Sequence, residues 1–297
     1  MPTKAIGSIS STGEGVIQGN EPEGDGVKVP AKLCNLPPLH SIATQVLSLS
    51  ADENMDLPKL ASVIEADPAF AAEVLFLANS PLFGFPSKMH VLRHAVSVLG
   101  LDRIKALTMT VAMRAFLGQA SPLVRQCWRH SCASAVVAEE ISKNFEVPGD
   151  RAYTAALMHD IGRLGLLKSY PREVAPVLTA QYKEPSDVLT AEHAVVSVDH
   201  GKAGGWLVKT WAFPVAFAEI CERHHDPIRE QEAALLQVVK AGCRMAEVLG
   251  YSAIRYQNLP AYAEVISAMP ERARRHKFPS EEELRANVEA RLAAFEQ

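Results

Sequence analysis

Apolar residues return every three or four positions along most of this chain, and almost nowhere every second position. In "NLPPLHSIATQVLSLS" the residues Leu39, Ile42, Val46 and Leu49 fall on one helical face. The stretch "DLPKLASVIEADPAFAAEVLFLANSPLFG" predicts two helices split at Asp67-Pro68, the aspartate capping the second helix and the proline suiting its first turn. Two more are expected in "HVLRHAVSVLG", stopped by Gly100, and in "LDRIKALTMTVAMRAFLG". This first bundle ends between Gly118 and Pro122. Beyond it the spacing predicts helices over 122–145, 150–168, 171–182, 187–209, 214–225, 231–249 and 281–295, with Pro214 of "WAFP" opening one of them. No two-residue hairpin turn joins alternating segments, and no repeat emerges. The expected fold class is all-α.

Residues 1–30 break the pattern: rich in Gly, Ser and Glu, they read as a flexible leader. The expected organisation is that leader, a helical bundle over 31–120, a helical core over 121–255 and a helical extension over 256–297. The stripes Leu39/Ile42/Val46 and Ile64/Phe70/Val74/Leu77 carry more apolar surface than the first bundle can hide internally. Their excess should pack on the second half, giving one rigid body.

Composition adds exclusions. A net charge of −4 argues against a broad nucleic-acid footprint. The cluster Arg272, Arg274, Arg275, His276 and Lys277 is followed at once by acidic residues, as in a solvated turn. No apolar run approaches ~18 residues, and "MPTKAIGSISSTGEG" lacks an apolar core, so neither a membrane span nor a signal peptide is expected. The five cysteines are scattered and never form a CxxC pair, which suits reduced thiols in a cytoplasm.

The chemistry sits where polar residues interrupt apolar ones. "TAALMHDIGRLGLL" carries His159 and Asp160 inside a run built for burial, and a buried carboxylate needs compensation. His130 shares a face with Val137 and Ile141; His200 lies in "VDHGKAGGWLVKTW", where Gly204 permits close approach by another helix; His224 and His225 end "PVAFAEICERHH". Each alone reads as a core histidine or a helix-end residue. Together, imidazole and carboxylate suit a divalent transition metal. Adjacent His and Asp diverge by about 100° on a helix, so they could serve neighbouring metals or one as ligand and one as bridge.

The order H…HD…H…HH resembles the HD superfamily of metal-dependent phosphohydrolases, and Arg163 stands where HD-GYP phosphodiesterases carry the Lys of "HDIGK". The segments "LPPLHSIATQVLSL", "VIEADPAFAAEVLFLANSPLFG", "HAVSVLGLDRIKALTM" and "DHGKAGGWLVKTWAFPVAFAEICERHHDP" closely resemble HDOD domains, the HD-related output domains of bacterial signalling proteins, from about residue 30 to 250. The resemblance implies an N-terminal bundle packed on an HD-like core, and a metal site of His130, His159, Asp160, His200, His224 and His225 holding Fe, Mn or Zn. Two positions depart from the active pattern: Gln126 stands where HD-GYP enzymes place a Glu, and Cys243 where active HD enzymes carry a late Asp ligand. "DPIREQEA" replaces the GYP segment. Arg163 and Gln126 remain candidates for phosphate contact. The expected function is a regulatory protein with a residual metal or ligand site, a protein partner in a signalling pathway and room for a nucleotide ligand. The alternative is a working phosphohydrolase or phosphodiesterase using two metals about 3.5–4 Å apart.

Overall fold

The computed structural model describes residues 29–48, 57–80, 85 and 87–296. The expected leader falls almost wholly outside them, as does Leu49. In the first half a short helix that the spacing does not predict, α1 Ala31–Cys34, precedes helices where it does: α2 Ser41–Ser48, α3 Leu57–Glu65, α4 Pro68–Ala78, α5 Leu92–Leu99 and α6 Leu101–Leu117. Asp67 caps α4 through its Oδ1, which accepts from the amides of Ala69 and Phe70 at 2.9 and 3.0 Å. Gly100, at φ 82°, separates α5 from α6 in a conformation that costs other residues strain.

The second half holds α7 Pro122–Ile141, α8 Gly149–Met158, α9 Ile161–Ser169, α10 Pro171–Thr179, α11 Pro185–Val196, α12 His200–Thr210, α13 Val215–Arg223 and α14 Ala234–Ala246. After these come α15 Tyr262–Ser267, α16 Glu271–Arg274 and α17 Glu281–Phe295. Among the described residues the fold is all-α apart from two strands of two residues each, β1 Gln181–Tyr182 and β2 Arg255–Tyr256, paired in parallel.

Three expected helices are corrected. The helix over 150–168 breaks at His159-Asp160, so the pair occupies a turn between α8 and α9 and not mid-helix positions. The helix over 187–209 breaks after Val196, where Ser197 adopts φ 61°. The helix over 171–182 ends at Thr179, and its last residues join the small sheet. Periodicity misses such breaks because the apolar face resumes in phase on the far side. The first break lets α9 lie directly on α12: a Cβ added at Gly162 would sit 1.9 Å from the His200 carbonyl oxygen and 2.3 Å from Gly204 N. Gly204 takes part in the same close approach.

The helix α7 runs through the second half, packed by α8, α14 and α17. Both expected stripes of the first bundle are buried, and a single apolar cluster continues from them into the second half. Thr110 on α6 shares a 3.0 Å hydrogen bond with Tyr153 on α8, and Phe116 meets Trp211 edge-on at 5.5 Å.

Candidate metal centre

Four helix ends and one helix middle converge beneath this packing. His130 comes from the middle of α7, His159 and Asp160 from the α8–α9 turn, His200 from the start of α12, and His224 with His225 from the end of α13. Cys243 arrives from α14. The two helix breaks therefore deliver the cluster: each places its polar residues at a turn whose backbone can aim them inward.

Four imidazoles are oriented alike. His130 Nδ1 lies 2.9 Å from the Tyr251 carbonyl, His159 Nδ1 2.5 Å from that of Ala156, and His224 Nδ1 2.8 Å from that of Cys221. His200 Nδ1 faces the Glu192 carboxylate at 2.5 Å. A carbonyl or carboxylate can only accept, so each Nδ1 carries a hydrogen and each Nε2 is turned to the centre. This is the outer-shell arrangement by which proteins fix metal-ligating histidines. Burial pushes His130 down to about 3, and neighbouring His159 adds to the effect. Burial likewise lowers His159, His224 and His225, so His130, His159, His224 and His225 are neutral near pH 7.

Three overlapping groups have donor atoms within metal-sharing reach: His130/His159/Cys243, His159/Asp160/His224 and His200/His224/His225. Cys243 Sγ is 3.6 Å from His130 Nε2. His159 Nε2 and both Asp160 oxygens are buried without a hydrogen-bond partner. A divalent cation shared by His159, Asp160 and His224 would satisfy His159 Nε2 and an Asp160 oxygen, and His130 with Cys243 offers donors on the other side of His159, so the residues present fit a metal.

The other side of the cluster is different, because Arg163 lies inside it. Its side chain is 2% exposed, with Nε 3.2 Å from Asp160 Oδ2 and 3.9 Å from Glu192 Oε1. Its Nη2 lies 2.9 Å from His200 Nε2 and 3.4 Å from His225 Nε2. Burial alone would raise the Asp160 carboxyl; the Arg163 guanidinium, helped by His200, His159 and His224, overcomes it and holds Asp160 well below the usual carboxylate range. For Glu192 burial is again outweighed, by His200 and then Arg163. So a guanidinium already compensates the carboxylate that makes "MHDIGR" look so costly to bury.

Arg163, expected toward a phosphate oxygen, thus points inward between two carboxylates. Gln126, the other phosphate candidate, donates its amide to the carbonyls of Ser252 and Ala253 at 3.3 Å each. Sequence reasoning missed Glu192, fully buried and bonded to both the ring and the amide of His200. Its signal was available: it lies in line with Val188 and Val196 on the apolar face of α11. Glu247 was also missed; burial pushes it up to about 7 despite Arg244 and Arg163. The five cysteines are free thiols. No helix among the described residues is long and apolar enough to cross a membrane.

The family model described as HDOD domain matches residues 36–227. The crystal structure of an HDOD domain protein with unknown function from Geobacter sulfurreducens superposes with TM-score 0.68 at 20% identity, covering 87% of this chain and 92% of that one. The crystal structure of a candidate phosphohydrolase from Shewanella amazonensis superposes with TM-score 0.67 at 18% identity, covering 91% of this chain and 100% of that one. An uncharacterized protein of Treponema pallidum is 21% identical over 200 residues, 66% of this chain and 38% of its own length. The chain thus spans little more than a third of that curated relative, and identities this low speak for the fold.

Proposed function

This chain belongs to the HDOD family, and we propose that within it the chain is a regulatory signalling module whose His/Asp cluster holds one divalent cation and performs no phosphoester hydrolysis. The observation that carries this reading is the position of Arg163. Two-metal hydrolysis needs two cations about 3.5–4 Å apart to clamp attacking and leaving oxygens. Here a permanent organic cation stands 2.9 Å from His200 Nε2 and 3.4 Å from His225 Nε2 and engages the charge of Asp160, in the space a second metal would need.

A bound cation would draw on His159, Asp160 and His224. When present, it supplies positive charge and a cross-link between the α8–α9 turn and the end of α13. The chain's own residues do the rest: the carbonyls of Ala156 and Cys221 orient two imidazoles, Arg163 neutralises Asp160 and Glu192, and the surrounding apolar helices exclude water. In this reading 31–120 and 121–255 are the two subdomains of one HDOD unit, 256–297 an extension over α7, and the output a protein partner in a signalling pathway. The rival reading, a metal-dependent phosphohydrolase, draws support from the convergence of His200, His224 and His225 through Nε2. It requires Arg163 to leave.

The test is metal content and turnover of protein purified without chelator or affinity metal. Fe, Mn or Zn at close to one equivalent is expected, lost in His159→Ala/Asp160→Ala. Cyclic dinucleotides, nucleotides and generic phosphodiesters should go unhydrolysed with Mn²⁺ or Fe²⁺ supplied. Two equivalents of metal, with turnover that disappears in His159→Ala, would establish the hydrolase instead.

A further inference from the structure

A second concave site lies on the other side of His130. It is a cavity of about 1150 Å³ where the end of α6, the start of α7, the turn after α14 and the helix α17 meet. That volume accommodates a ligand of nucleotide size. Its walls carry Arg114, Arg125, Arg129 and Arg285 against two carboxylates, Glu289 and Glu296. On a chain of net charge −4, four guanidinium groups in one cavity are a strong local reversal of sign.

The partners of these groups decide what the cavity can take. Arg129 is paired with Glu296, Arg285 with Glu281, and Glu289 accepts from the Tyr251 hydroxyl. Arg125 makes no ion pair among the described residues; its Nη1 donates to the Ala120 carbonyl at 2.7 Å, leaving most of its donors free. Arg114 Nη1 is buried with no hydrogen-bond partner, and its nearest carboxylate, Glu73, stands 4.0 Å away. Two guanidinium groups from adjoining helices therefore line one space, Arg125 with most of its donors unanswered and Arg114 with a long 4.0 Å contact to Glu73. Planar donors of that kind match phosphate oxygens in pairs. Trp128 and Tyr251 supply aromatic surface in the same cavity.

We propose that this arginine-lined cavity is a binding site for a phosphate-bearing small molecule, separate from the metal centre. Arg114 and Arg125 are its principal contacts. Occupancy would tie the end of α6 in the first bundle to α7 and α17. It would also bear on the metal centre, because the Tyr251 carbonyl that orients His130 belongs to a lining residue. The site does not depend on whether the His/Asp cluster holds metal or turns over substrate.

The experiment uses the full chain, stripped of metal, titrated with sodium tripolyphosphate while tryptophan fluorescence is followed. Trp128 lines the cavity and reports on it. A saturable, single-site change is expected. Arg125→Gln should weaken binding about tenfold, and Arg114→Gln/Arg125→Gln should abolish it. Arg275→Gln, at an exposed arginine just after α16, should leave binding unchanged. Isothermal titration of the unaltered chain is a second measurement that needs no variant to fold. Absence of saturable heat and of any fluorescence change overturns the proposal. So does equal weakening by Arg275→Gln, which would mean diffuse charge attraction. Citrate binding as tightly as tripolyphosphate would overturn the assignment to phosphate.

Discussion

Replacing Arg163 by Met removes the guanidinium while keeping most of the volume, and it tests the reading of the whole cluster. In the wild type, Arg163 Nε lies 3.2 Å from Asp160 Oδ2, with both side chains almost wholly buried. At an effective dielectric near 20, two unit charges at that separation attract by about 5 kcal/mol. Much of this offsets desolvation, so the better guide is the cost of stranding a buried charge, about 3–5 kcal/mol. Glu192 loses the same partner, at 3.9 Å, which favours the upper end. For a cooperative unit of this size the loss corresponds to a fall in Tm on the order of 10 °C. The assay is thermal unfolding of chelator-treated protein at pH 7.5, followed by titration with Zn²⁺ or Mn²⁺. Arg163→Met should unfold early, recover stability as metal is added, and take up one more equivalent of metal than wild type, because His200, His225 and Asp160 are released to bind it. A variant within about 1 kcal/mol of wild type in the chelated state would show that Arg163 compensates nothing. A variant destabilised as expected but taking up no additional metal would refute the claim that Arg163 excludes a second ion.

Other outcomes follow from the same contacts. Gly162→Ala should cost more than about 3 kcal/mol or prevent folding, since the new Cβ would meet the backbone of His200 and Gly204, whereas Gly205→Ala, whose nearest neighbour is the flexible Glu222 side chain, should cost under about 1 kcal/mol, both read by thermal unfolding. Glu247 is raised to about 7 against 4.5 when unfolded, so it holds a proton that the unfolded chain has lost; stability is forfeited as pH rises from 4.5 and the loss levels off above 7. Glu247→Gln should therefore be more stable than wild type by up to about 3 kcal/mol at pH 8 and no more stable at pH 4.5; a pH-independent difference would contradict this. Cys243→Asp should bind hard cations such as Mn²⁺ more tightly than wild type, measured by competition with a chelating dye, while hydrolysis of cyclic dinucleotides stays absent as long as Arg163 is in place. Turnover in that variant would show that the missing carboxylate alone was limiting.

The sequence by itself determined the fold class, the helices of the first bundle and the identity of most residues at the centre. Its reach came from two local rules, that apolar spacing follows the helical period and that Asp, Pro and Gly mark helix ends. These rules need no knowledge of what a helix packs against, which is why Asp67-Pro68 and Gly100 punctuate the fold where they were expected to. The order of His130, His159, Asp160, His200, His224 and His225 was legible for a similar reason, since polar residues on apolar faces stand out along the chain. What remained hidden depends on contacts between distant segments. The breaks at His159-Asp160 and Ser197 leave the apolar phase intact, so only the packing of α9 on α12 through Gly162 and Gly204 exposes them. Glu192 became part of the centre because its helix folds back onto His200. Arg163 shows the difference most plainly. Along the chain it is a charged residue one turn beyond an aspartate; in three dimensions it is a buried cation among two carboxylates and two imidazoles. Electrostatic compensation is a property of distances in space, and tertiary packing alone decides whether a buried aspartate finds its opposite charge in a metal ion or in the protein's own side chain.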